Sequence, residues 1–130
     1  MTQTIDLYLI RHGLAGEFGS YADDRQRPLT EAGRDKTRRV ADRLVSLGLQ
    51  FEQILTSPLL RAQQTAEILC EAGLSQQLEL TEYLATGNFE DWLAWLATWN
   101  PNTTHPLAFV GHEPSLSQWA ERLVWGQVNH

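Results

Sequence analysis

The chain has 130 residues, a formal net charge of −6 at pH 7, and 42% hydrophobic and 20% charged residues. This length predicts a single domain over residues 1–130 with a core of its own. The acidic balance argues against nucleic acid as a partner, because phosphate backbones are bound by basic surfaces. No apolar run approaches the roughly 20 residues that span a bilayer, so no membrane association is expected. One cysteine, Cys70, and an N-terminus without signal-peptide features predict a cytoplasmic protein.

Apolar runs and helical stripes alternate along the chain. Strands are predicted at residues 5–11, 53–56, 78–80 and 107–110. Helices are predicted from Thr30 to about Gly48, from Ser57 to about Glu71, from Asn88 to Trp99 and from Pro114 to about Val124. This alternation predicts an α/β protein, a three-layer α/β/α sandwich with a mostly parallel central sheet.

Several local signals refine these elements. Thr30 and Asn88 are expected to be N-caps, and Ser57 is expected to cap a helix whose first residue is Pro58. The residues expected on the buried face of the first helix are Gly33, Thr37, Val40, Ala41, Leu44 and Leu47. The loop from residue 13 to residue 27 is polar. Its Asp23-Asp24 pair is interpreted as part of a solvated loop, and the alternative is that the pair guides a basic partner.

Charged side chains follow two of the predicted strands. Arg11 and His12 stand at the end of the first strand, with Gly13 to let the backbone turn, and His112 follows the last strand. In an open α/β sheet, ligands bind at the carboxyl ends of the strands. These side chains are poor choices for a core and good choices for an anion site.

Arg61 adds a further charge in the first turn of the second helix, off its apolar stripe. A cation there opposes the helix dipole by a few tenths to about one kcal/mol. An anion bound at the helix N-terminus would offset that cost. Two arginines and two histidines suit phosphoryl transfer, in which one histidine attacks phosphorus and the other groups neutralise its oxygens. The arginines repel cations, so no metal and no cofactor are expected.

Four blocks of the sequence, in this order, carry a resemblance to the histidine phosphatase superfamily, the fold shared by phosphoglycerate mutases and many phosphatases. The blocks are Leu9–Gly13, Arg27–Gly33, Thr56–Ala66 and Val110–Pro114. The resemblance implies that His12 is the nucleophile that becomes phosphorylated. It also implies that Arg11, Arg61 and His112 form the phosphate pocket.

Within this superfamily the chain looks most like the small SixA branch of phosphohistidine phosphatases. Four features are similar to that branch: the small size, Arg-Pro-Leu-Thr at 27–30, Gly-His-Glu-Pro at 111–114 and the short stretch 80–88. Larger relatives insert helical segments at that stretch, so the resemblance implies an open site. It implies metal-independent removal of phosphate from a phosphorylated protein, the histidine phosphotransfer domain of a two-component relay.

Alternatives to this activity stay open on the residues. Glu82, after the third strand, is a candidate proton donor by the family pattern, and it would matter for a small phosphorylated substrate with an ester bond. A P–N bond makes a weaker demand for an acid. The other alternative is a non-catalytic phosphate-binding or scaffold protein. Relatives also continue into a final pair of strands beyond the last helix, so we expect this domain to lack them.

Overall fold

A computed structural model describes residues 6–99 and 105–128, with side chains through residue 123. The elements in chain order are β1 (Leu7–Arg11), a 3₁₀ turn (Asp24–Gln26), α1 (Glu31–Ser46), β2 (Gln53–Thr56), α2 (Leu60–Glu71), β3 (Leu78–Leu80), α3 (Tyr83–Thr86), α4 (Phe89–Thr98), β4 (Leu107–Gly111) and α5 (Ser115–Val128). The predicted strands and helices are confirmed within a few residues. The beginning of the first predicted strand, residue 5, lies outside the described residues, as do residues 129 and 130.

The four strands form one parallel sheet in the order β1-β4-β2-β3. Arg11 pairs with Gly111 across β1 and β4, and Thr56 pairs with Val110 across β2 and β4. The carboxyl ends of these three strands therefore lie side by side. Residues that are far apart in sequence but directly follow these strands become neighbours.

The sheet is covered on both faces. In β4, Ala108 and Val110 join the apolar cluster under α1 and α2, whereas Leu107 and Phe109 join the cluster under α3, α4 and α5. Alternate residues of a strand point to opposite faces, which explains the division. The predicted three-layer α/β/α architecture is confirmed. Within the described parts of the chain, no helix is both long and apolar enough to cross a bilayer.

The predicted helix caps have mixed outcomes. Thr30 Oγ1 accepts a hydrogen bond from the Gly33 amide at 2.9 Å, and Asn88 Oδ1 accepts one from the Asp91 amide at 3.1 Å, so both caps are confirmed. The expectation for Ser57 and Pro58 is wrong. Helix α2 begins at Leu60, since Ser57 first closes a tight turn in which its hydroxyl accepts the amide of residue 59 at 3.1 Å.

The buried stripe predicted for α1 is too wide. Gly33, Thr37 and Ala41 are buried, but Val40 and Leu47 have exposed fractions of 47% and 67%. Helix α1 packs mainly against α2 rather than on the sheet, so a narrower line of residues is covered. Helix α3 was not predicted, because four residues are too few to show a helical period.

Candidate active site

Backbone hydrogen bonds bring the residues after β1, β4 and β2 together. The amide of His12 donates to the carbonyl of Gly111 at 3.1 Å, and the amide of Ser57 donates to the carbonyl of Val110 at 2.9 Å. As a result, the rings of His12 and His112 lie with their centroids 5.1 Å apart at an interplanar angle of 59°. The two predicted histidines are thus brought to one site.

His12 is held in a single tautomer. Its Nδ1 lies 2.7 Å from the carbonyl oxygen of Gly13, and because a carbonyl can only accept, Nδ1 carries the proton. The lone pair is then on Nε2. Burial, partly offset by this hydrogen bond, lowers the pKa of His12, and the charges of Arg61 and Arg11 lower it further. At neutral pH the ring is therefore uncharged and can act as a nucleophile.

The glycine after His12 is required by close packing rather than by a turn. Gly13 does not have a positive φ, which corrects the sequence-based reason for it. A Cβ at this position would lie 2.6 Å from Thr37 Oγ1 and 3.3 Å from the Gly33 carbonyl. The Gly13 amide also donates to Thr65 Oγ1 at 3.0 Å, which ties the strand end to α2. Only glycine fits between α1 and the loop that carries His12.

His112 is held by Ser57. Nε2 of His112 lies 2.8 Å from the hydroxyl oxygen of Ser57, which is fully buried. If the hydroxyl donates to Nε2, the proton of the neutral ring is on Nδ1, and Nδ1 is buried without a hydrogen-bond partner in the described structure. Burial, His12 and Arg61 together lower the pKa of His112 to about 4. In that tautomer the neutral His112 ring keeps one N–H donor that has no acceptor among the described residues.

Arg61 is buried, with 6% of its surface exposed, although it lies off the apolar stripe of α2. Its Nη1 donates to the backbone carbonyl of Asp24 at 2.8 Å, and its Nη2 donates to the Asp24 carboxylate at 3.1 Å. Nε is buried and has no partner among the described residues. A guanidinium has five N–H donors, so three remain for another acceptor.

Arg11, at the end of β1, is exposed, and no hydrogen bond or ion pair of its side chain is found among the described residues. Its positive charge contributes to lowering the pKa of His12. Arg11 and His12 also line a cavity of about 490 Å³ between β1 and α1, with Lys36 on the opposite wall. This end of the sheet is therefore rich in positive charge. No cluster of metal-binding side chains occurs in the part of the chain that the structure describes.

Glu82 lies at the rim, directly before α3. Both of its carboxylate oxygens are paired with Arg25, Oε1 with Nη1 at 3.1 Å and Oε2 with Nη2 at 3.2 Å. A proton donor would have to give up at least one of these contacts. Glu82 is thus engaged by the loop that precedes α1, and its role as a proton donor stays a prediction.

Sequence reasoning missed Asp24 and Ser57 as parts of this site. Asp24 was expected to be solvated loop, but it binds Arg61. Ser57 was expected to be a helix cap, but it binds His112. A signal existed for Ser57, because it directly follows a strand just as the two histidines do. For Asp24 the signal is weaker: it stands three residues before Arg27, the spacing of a local ion pair that is found here at 2.8 Å.

The fold and the site define a class of protein: an α/β domain whose parallel strands bring two neutral histidines and two arginines to one edge of the sheet. The family model of the histidine phosphatase superfamily (branch 1) matches residues 7–122. An uncharacterized protein of Picosynechococcus sp. is 48% identical over 127 residues, which cover 97% of this chain and 77% of that protein. The chain belongs to the histidine phosphatase superfamily, and this membership supports phosphatase activity.

The chain is also similar to SixA, both in structure and in sequence. The solved structure of the protein histidine phosphatase SixA complexed with tungstate has a TM-score of 0.80 at 28% identity, and the match covers 90% of this chain and 75% of that chain. The phosphohistidine phosphatase SixA of Escherichia coli is 40% identical over 63 residues, which cover 48% of this chain and 38% of that enzyme. The resemblance to this branch is confirmed.

Proposed function

We propose that this chain is a metal-independent phosphatase that removes phosphate from phosphohistidine in a signalling protein, with His12 as its nucleophile. The observation that carries the proposal is the hydrogen bond from His12 Nδ1 to the Gly13 carbonyl at 2.7 Å. It leaves the Nε2 lone pair free in a ring that burial keeps neutral. We also propose a cytoplasmic location, where the single thiol of Cys70 stays reduced.

The reaction has two steps. In the first, Nε2 of His12 attacks phosphorus in line, a P–N bond to His12 forms, and the P–N bond to the substrate imidazole breaks. The leaving imidazole nitrogen takes a proton from solvent. In the second step, water attacks phosphorus and a P–O bond forms while the P–N bond to His12 breaks. The protons of the water leave with inorganic phosphate or pass to solvent, and neutral His12 is regenerated.

The other three residues neutralise the phosphoryl oxygens. Arg11, Arg61 and His112 each have N–H donors without acceptors in the described structure. Those of Arg61 and His112 are buried, and because buried donors without partners are costly, a phosphoryl group that satisfies them would be favoured. Preorganised donors of this kind stabilise charge in the transition state without reorganisation. Among these residues Arg61 is the most buried, so its contribution is the least weakened by water.

The rim of the site favours a protein substrate. Only eight residues, 81–88, separate β3 from α4, and they hold no more than the single turn of α3. No inserted segment covers the site from that side, so a phosphorylated side chain on another protein has access. The engagement of Glu82 by Arg25 also fits a P–N bond, because phosphohistidine makes a weaker demand for a proton donor than an ester.

The test measures phosphate release from a phosphohistidine-carrying phosphotransfer domain and, in parallel, from an aryl phosphate ester. The wild-type protein is compared with His12→Ala and with His105→Ala, a histidine substitution in the loop before β4. We expect release from phosphohistidine that is lost in His12→Ala, kept in His105→Ala and unchanged by a chelator.

Other results would point elsewhere. Faster hydrolysis of the ester would identify a small-molecule phosphatase and bring Glu82 into the mechanism. Release from neither substrate, with folded protein, would identify a non-catalytic phosphate-binding protein. Loss of activity in the chelator would contradict metal independence.

A further inference from the structure

Asp24 binds two arginines at once. Its carboxylate accepts a hydrogen bond from Arg61 Nη2 at 3.1 Å and from Arg27 Nε at 2.8 Å. Its backbone carbonyl accepts a second bond from Arg61, from Nη1 at 2.8 Å. One residue of the 3₁₀ turn thus fixes both terminal nitrogens of Arg61, which lies 37 residues later in the chain.

The turn that carries Asp24 is itself anchored. Arg27 Nη1 donates to the carbonyl of Gly16 at 2.9 Å, and the Arg27 guanidinium lies 5.6 Å from the ring centroid of Phe18. On the other side, Arg25 holds Glu82. The hydrogen bond from Arg27 and the charge of Arg61 hold the pKa of the Asp24 carboxyl below its usual value, so the carboxylate is ionised at neutral pH.

A carboxylate beside a phosphate pocket has two opposite effects on phosphate. Its negative charge repels the phosphate anion. If repulsion were the only effect, removing the carboxylate would tighten phosphate binding. Its hydrogen bonds also hold Arg61 in one orientation. Without them, phosphate binding would be weaker, because binding would have to order the long Arg61 side chain at a cost in conformational entropy. The direction of the change separates the two effects.

We infer that Asp24 is a positioning residue that holds the Arg61 guanidinium in place, so that the donors it leaves free are ready for the phosphoryl oxygens. The inference rests on the proposed function of Arg61 as part of the phosphate pocket. Four observations support it: the two-point contact, the burial of Arg61, its unpartnered Nε and the anchoring of the turn. Asp24 itself touches no reacting atom in this account.

The test compares Asp24→Asn with Asp23→Asn. Asp23 is the neighbouring acid, and its carboxylate caps the 3₁₀ turn by accepting the amide of Arg25 at 3.0 Å. Asparagine caps a turn about as well as aspartate, so both variants lose one negative charge in the same place while only one loses contacts to arginine. The measurements are the affinity for inorganic phosphate by calorimetry, kcat and KM on the phosphohistidine domain, and the melting temperature.

We expect Asp24→Asn to weaken phosphate binding and raise KM by roughly tenfold, the scale of one hydrogen bond to a charged group. Asp23→Asn should bind phosphate as the wild type does, or slightly more tightly. In an Arg61→Ala background, Asp24→Asn should leave phosphate affinity unchanged or slightly raise it, because the residue that Asp24 positions is gone and only its repulsion is removed. A purely structural role would change the melting temperature in both backgrounds.

Three results would overturn the inference. The first is phosphate binding in Asp24→Asn that is as tight as in Asp23→Asn, or tighter. The second is a loss of affinity of the same size in the Arg61→Ala background. The third is the absence of phosphate binding to the wild type. Phosphate binding needs no turnover, so a wild type that binds phosphate but releases none from phosphohistidine would contradict the proposed reaction and still test Asp24.

Discussion

Replacing Arg61 by alanine tests the electrostatic part of the mechanism. The side chain is 6% exposed and keeps three N–H donors without acceptors among the described residues. Removing one preorganised donor from a site of developing negative charge costs about 10²–10³ in kcat. Because Arg61 carries a full charge and several donors, we expect kcat/KM on the phosphohistidine domain to fall by about 10³ or more.

The fold should survive this substitution. Alanine removes two hydrogen bonds to Asp24, but Asp24 keeps Arg27 and is partly exposed to water. Alanine also removes a cation from the first turn of α2, which relieves up to about 1 kcal/mol of unfavourable interaction with the helix dipole. We therefore expect the free energy of unfolding to change by no more than about 2 kcal/mol.

Both expectations are checked by steady-state kinetics and urea denaturation of Arg61→Ala and Arg61→Lys. Arg39→Ala, on the exposed face of α1, is the control. Lysine keeps the charge without the planar fork, so it should restore only part of the activity. Values of kcat/KM for Arg61→Ala within a few-fold of the wild type would refute the reasoning. A fully active Arg61→Lys would show that charge alone matters.

Three further predictions follow from the geometry around the two histidines. The lowered pKa values of His12 and His112 mean that the unfolded chain binds more protons than the folded chain at acid pH, so the free energy of unfolding should fall as the pH drops from 6.5 to about 4. In urea titrations, His112→Asn should remove part of this pH dependence. An unchanged pH profile in that variant would contradict the assignment. Ser57→Ala should lower kcat about tenfold, since the hydrogen bond that sets the tautomer of His112 is lost. Nitrogen NMR of the His112 ring should then show a mixture of tautomers, and a single unchanged tautomer would count against this role of Ser57. Gly13→Ala should destabilise the fold by about 1–3 kcal/mol, because the added methyl group overpacks against Thr37. Adding Thr37→Ala to the same chain should recover part of the lost stability. Equal stability of Gly13→Ala and wild type in urea would refute this explanation.

The positions that follow strands were the most predictable part of the site. Apolar runs mark β1 and β4 clearly, so the sequence places His12 and His112 at the same edge of a parallel sheet. The register of the strands then brings the rings to 5.1 Å from each other. Arg61 was singled out because it contradicts both the helix dipole and the apolar stripe, and the structure gives the reason in its contact with Asp24.

The contacts across long sequence separations were not predictable. Arg25 and Glu82 are 57 residues apart, and neither residue carries a local signal for the other. Side-chain pairs of this kind depend on how the loop before α1 packs over the sheet edge, which periodicity does not report. Ser57 was misassigned because serine before proline is a common start of a helix, and local reasoning preferred the cap to the neighbouring strand end.

The most direct test of the central claim is to trap the phosphoryl group on the enzyme. Wild-type protein is mixed with a labelled phosphohistidine domain, quenched within milliseconds in alkali, where phosphohistidine is stable, and the label is mapped by mass spectrometry. The account predicts a transient phosphoryl group on Nε2 of His12 that forms before free phosphate appears and is absent from His12→Ala. Phosphate release without any enzyme-bound phosphoryl group, or a label on another residue, would contradict it.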